Sequence, residues 1–120
     1  MAAIAALAAF IAWSSLAPAP PVSAPSLSDK LQHFAAYFAL MGLATGIATP
    51  GRLAPAAIAC FLLGGALEIA QGLLTATREA EWGDLAANTA GILAAWAAGG
   101  SGRAGWGMRV LERLRSAPEP

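Results

Sequence analysis

The sequence predicts an all-α integral membrane protein, a bundle of about four transmembrane helices, and three observations carry that expectation. The chain of 120 residues is 58% hydrophobic and 12% charged, with a mean hydropathy of +0.60. A water-soluble domain carries roughly 25% charged residues, so there is too little charge here to coat a water-facing surface. The charges fall between apolar runs, since no formally charged side chain occurs over 2–28, 31–51, 53–67 or 85–102. Helix breakers fall in the gaps, as at Pro18, Pro20, Pro21 and Pro25 and at Pro50-Gly51. Crossing the hydrocarbon layer takes about 20 mostly apolar residues at ~1.5 Å each.

The first helix is expected over Ala2–Leu16. Ser14-Ser15-Leu16-Ala17 before the prolines resembles the end of a cleavable signal peptide, but no Lys or Arg precedes the apolar run as a signal n-region requires. The segment is therefore read as retained. The second helix is expected over Leu31–Thr49 and the third over Leu53–Thr75. The third reaches spanning length only by taking in Glu68, and a carboxylate within a span is rare and costly. Asp84 suits the N-cap of a fourth helix, Leu85–Ala98, because its carboxylate can accept from free backbone N–H groups. Residues 1–100 thus form one bundle, followed by a tail over 101–120 in which Met108–Arg115 suits a short amphipathic helix at the membrane surface.

Four spans put both termini on one side. That side holds Arg52, Arg103, Arg109, Arg113 and Arg115, against Lys30 and Arg78 on the other, so the positive-inside rule places both termini in the cytoplasm. Small residues at Gly42-x-x-x-Gly46, Gly64, Gly65, Gly72 and Ala87-x-x-x-Gly91 are read as internal packing sites, which lipid-embedded helices need in order to approach closely. A net charge of zero offers no basic field for nucleic acid. The single cysteine, Cys60, excludes an intrachain disulfide or a cysteine metal site and is read as a packed hydrophobe.

The polar residues share one depth. Asp29, His33 and Tyr37 are spaced i, i+4, i+8 on the second helix. Glu68 and Gln71 lie near the end of the third helix, and Asp84 and Asn88 near the start of the fourth, on the same side of the membrane. A buried carboxylate must be paired, neutralised or solvated, and Lys30, His33 and Arg78 are the candidate partners of Glu68. Either these groups bond helix to helix, or they line a polar pocket in the outer leaflet. The pocket reading takes Asp29, Lys30, His33, Glu68, Gln71, Arg78, Asp84 and Asn88 as ligand-binding residues, with Tyr37 an interfacial aromatic and Glu79 solvated.

The order Asp29-Lys30-x-x-His33-Phe34, Glu68-x-x-Gln71 and Arg78-x-x-Glu81-x-x-Asp84-x-x-x-Asn88-x-x-Gly91 resembles the VanZ-like family of small bacterial membrane proteins. The pattern covers 29–91, about half the chain, and departs from the family in having Glu81 where aspartate is common. The resemblance implies a multi-pass protein of the bacterial cytoplasmic membrane, in a family whose founding member is linked to resistance to the glycopeptide teicoplanin. It implies a role at the cell envelope and names no activity.

The function expected from pocket and resemblance together is binding of a lipid or amphiphile headgroup, with membrane lipids and a lipid-linked envelope component as partners. Lys30 and Arg78 would hold a phosphate or carboxylate, and Gln71 and Asn88 would orient it. The alternatives are an intramembrane enzyme with His33 and Glu68 as acid and base, or a structural or assembly subunit. No nucleophile motif or metal-ligand spacing appears in the sequence, and no cofactor or metal is expected. A divalent ion on two carboxylates and the histidine is the less favoured reading.

Overall fold

The computed structural model describes residues 1–17, 27–75, 80–100 and 103–116. Among these residues the chain is helical and contains no strand: α1 (Ala2–Leu16), α2 (Leu27–Ile47), a 3-10 turn (Pro50–Arg52), α3 (Leu53–Leu74), α4 (Trp82–Gly100) and α5 (Trp106–Arg115).

Local chemistry accounts for most of the boundaries. α2 begins at Leu27, ahead of the expected Leu31, and Asp29 in its first turn complements the free N–H groups there. It stops at Ile47; Thr49 is extended (φ −76°, ψ 157°), as a residue before proline prefers. Pro55 sits in the first turn of α3, where its missing N–H leaves no bond unmade. α5 follows Gly105, whose φ of 74° is readily available only to glycine.

One boundary corrects the sequence reading. α4 starts at Trp82, so Asp84 is not its N-cap but lies inside the first turn. The Asp84 carboxylate goes instead to Lys30 on α2. A charged tertiary partner wins over the local cap.

α2 and α4 run parallel, with Lys30 against Asp84, His33 against Asn88, Phe34 against Gly91 and Thr45 against Gly99 at a nearly constant sequence offset. They meet closely at Gly91. A methyl group there would stand 2.9 Å from the Phe38 nitrogen and would strike the Phe34 carbonyl oxygen. α3 is antiparallel to both, with Gly64 facing Tyr37 and Asn88. α1 lies along α3, its Ser15 carbonyl accepting from the Gln71 side chain at 3.0 Å. The C-terminal ends of α1 and α3 therefore share one end of the bundle with the N-terminal ends of α2 and α4. At the other end, α5 docks through Trp106 against Gly46, and the Gly105 N–H donates to the Thr45 carbonyl at 2.8 Å.

The buried apolar set joins Ile11, Tyr37, Met41, Leu53, Cys60 and Ile92. Outside it, polarity is inverted. Glu68 and Asn88 are 6% and 2% exposed, whereas Leu62 and Leu73 on α3 are 63% and 77% exposed. Among the described residues, one helical stretch, Pro50–Leu74, is long and apolar enough to cross a membrane. α1 is apolar but has 15 residues, and polar residues in the first two turns dilute α2 (Asp29, Lys30, Gln32, His33) and α4 (Asp84, Asn88).

Candidate functional site

The shared end of α1–α4 collects the polar side chains. Lys30, at the first turn of α2, sets its Nζ 2.5 Å from Glu81 Oε2 and also bonds Asp84 Oδ1. Both carboxylates hold the Lys30 ammonium by charge-assisted hydrogen bonds. One helical turn deeper, His33 Nδ1 is 3.1 Å from Asn88 Oδ1. Its Nε2 is 3.6 Å from Asp84 Oδ2, and its Nδ1 is 4.0 Å from Glu68 Oε1. Glu68 reaches across to the end of α4, where its Oε2 accepts the Glu81 backbone N–H at 3.2 Å. One ligand atom each from Asp29, His33 and Asp84 lies within 4.8 Å of the other two.

The structure therefore brings together Asp29, Lys30, His33, Glu68, Asp84 and Asn88. Gln71 is at the same depth but turns to α1, where it bonds the Ser15 carbonyl. Arg78 lies outside the described residues, as does Glu79. Lys30 does not stand ready for a phosphate or carboxylate, because two carboxylates already hold its ammonium. His33 and Glu68 are not within hydrogen-bond reach, and the nearer imidazole nitrogen is engaged by Asn88. Glu81 was missed as a site residue, although the Arg78-x-x-Glu81-x-x-Asp84 spacing in the sequence already set it one turn before Asp84.

A cavity of about 380 Å³ opens beside this cluster. One wall is apolar, formed by Leu7, Phe10 and Ile11 of α1; the other carries Asp29, His33, Glu68 and Asn88. Tyr37 also lines it, and its buried hydroxyl has no hydrogen-bond partner among the described residues. Ser14 lines it as well, its hydroxyl donating to the Ile11 carbonyl at 3.0 Å. Among the described residues the cluster gathers the carboxylates of Asp29, Glu68, Glu81 and Asp84 around the Lys30 ammonium and the His33 ring. Its chemistry is that of acceptors: it can take up donors and cations. No protein-family model, curated protein or solved structure matches the chain.

Proposed function

We propose that this chain is a VanZ-like, multi-pass protein of the bacterial cytoplasmic membrane that binds the headgroup of a lipid or other amphiphile in its outer-leaflet cavity. In this reading α1–α4 all span, both termini are cytoplasmic, and the protein acts at the cell envelope, with glycopeptide susceptibility the trait its family resemblance suggests.

The observation that carries the reading is the inverted polarity. Large apolar side chains face outwards along α3 while Glu68, Gln71, Asp84 and Asn88 face inwards. Only 28% of the most apolar window of Pro50–Leu74 is buried within the chain. The core helix of a water-soluble domain would be mostly buried, and so much exposed apolar surface calls for lipid. The cavity, with one apolar and one polar wall, has the division of an amphiphile. Its acceptor-rich wall suits a headgroup that presents ammonium, amide or hydroxyl donors.

The test is native mass spectrometry of the full chain purified in mild detergent. Wild type is expected to retain lipid, and a Glu68→Gln, Asn88→Ala double variant to lose most of it. Equal retention would overturn the binding reading. The topology is tested separately in a Cys60→Ser background, with cysteines placed at Ala80 and at Ser116 and treated with an impermeant maleimide in whole cells. Labelling at 80 but not at 116 is expected; the reverse would overturn the orientation.

A further inference from the structure

We propose that Asp29, His33 and Asp84 form a binding site for a divalent first-row metal ion, Zn²⁺ or Mn²⁺, where α2 and α4 begin. This goes beyond the headgroup reading and stands without it.

Geometry supplies the first argument. A ligand atom from each residue lies within 4.8 Å of the other two. Bonds of about 2.0–2.2 Å to a shared ion set nitrogen and oxygen ligands roughly 3–4.3 Å apart, so side-chain rotation alone closes the set. The two helices that supply the ligands are held in register by the close approach of Gly91 to the α2 backbone.

The histidine supplies the second, independent argument. The Asn88 carbonyl oxygen can only accept, so its 3.1 Å bond fixes the proton on His33 Nδ1. The opposite nitrogen, Nε2, is thereby turned toward Asp84 Oδ2, 3.6 Å away, a gap longer than a hydrogen bond. A cation between them satisfies both. A histidine that gives its far N–H to a carbonyl while its other nitrogen faces carboxylates is the arrangement that orients metal-ligating imidazoles.

Charge points the same way. Asp29 and Asp84 bring two carboxylates to the imidazole, the anionic ligands that a divalent ion favours. The mixed nitrogen and oxygen set selects the metal class, because Mg²⁺ and Ca²⁺ favour oxygen alone. Lys30 occupies Asp84 Oδ1 and leaves Oδ2 to the ion.

The test uses the full chain in detergent, stripped with a chelator and with no lipid added. Zn²⁺ is titrated in competition with a chromophoric chelator, and Mn²⁺ is followed by electron paramagnetic resonance. One ion per chain is expected, with affinity reduced at least tenfold in Asp29→Asn and in His33→Ala. Asn88→Leu keeps every ligand but frees the imidazole, and a 10- to 100-fold loss is expected. Glu112→Gln on α5 should change nothing. If His33→Ala does not fold, Asp29→Asn decides, since Asp29 is only part-buried. Absence of saturable binding, or equal affinity in wild type and Asp29→Asn, overturns the site. Because the readout is metal bound per chain and not lipid retained, failure of the headgroup reading leaves this result untouched.

Discussion

Gly91→Ala is the sharpest test of how α2 and α4 are joined. Its added methyl would lie 2.9 Å from the Phe38 backbone nitrogen, where ordinary contact begins at 3.4 Å, and still closer to the Phe34 carbonyl oxygen. Both obstacles are helix backbone, so no side chain can swing aside. The helices must part by at least about 0.5 Å. The same displacement carries the 3.1 Å His33–Asn88 bond to about 3.6 Å, beyond hydrogen-bonding range. Overpacking contributes ~1–3 kcal/mol and the lost interhelical bond ~0.6–2 kcal/mol, so a destabilisation of about 2–4 kcal/mol is expected. The assay follows from the single cysteine. Cys60 is buried, so a thiol-reactive fluorophore reports its exposure as the detergent-solubilised protein is heated. Gly42→Ala and Gly65→Ala are the controls, because a methyl at either position meets nothing within 4 Å. A Gly91→Ala melting temperature equal to that of Gly42→Ala would refute the close-packed interface.

Three further outcomes follow from named contacts. Lys30→Met removes both ion pairs and strands Asp84, so the same thermal assay should show a loss of about 2–3 kcal/mol, below the usual range for buried pairs because Lys30 keeps a quarter of its side chain exposed. Adding Asp84→Asn should recover part of that loss, and an unchanged melting temperature in Lys30→Met would argue against the pairing. Gly46→Val pushes into the Trp106 ring, which stands 3.2 Å from the Cβ position, so α5 should undock and trypsin should cut at Arg109 several-fold faster while the bundle's melting temperature holds. Tyr37→Phe should raise thermal stability and weaken lipid retention.

The sequence was a good guide to helices and a partial one to faces. α1 was legible to its last residue, because a largely apolar, uncharged run gives way to prolines from Pro18 in the sequence. The start of α4 was not, since Trp82-Gly83 reads as a loop and Asp84 as a cap; what recruits Asp84 is Lys30, 54 residues away. Gly42 and Gly65 looked the same in the sequence as Gly64 and Gly91, yet the first two face open space while the others touch neighbouring helices. Spacing gives a face without saying what covers it. Gln71 shows this within the site. It stands three residues from Glu68, yet that rotation turns it to α1, while Glu68 faces α2 and α4. The acidic character of this end is not a matter of composition, since the chain carries no net charge. Only the packing commits Lys30 to two carboxylates and leaves the cavity wall without a cation of its own among the described residues.

Tyr37 puts the stability of the site and its use in opposition. The side chain is 2% exposed and its hydroxyl has no partner among the described residues, although it lines the cavity. A β-carbon at Gly64 would lie 3.3 Å from that hydroxyl, so the absence of a side chain there leaves room for the oxygen beside the Asn88 amide. A buried hydroxyl without a bond costs about 1–3 kcal/mol. Phenylalanine removes that cost, and the gap left by one oxygen atom offsets only part of the gain. The Phe variant should therefore melt a few degrees higher, a gain of about 1 kcal/mol. If the hydroxyl is kept for a headgroup, the same variant should retain several-fold less lipid, a trade of activity for stability met where a site holds an unpaired polar group. A lower melting temperature would mean that the hydroxyl is already bonded within the folded chain. A higher one with unchanged lipid retention would place the headgroup elsewhere in the cavity, away from Tyr37.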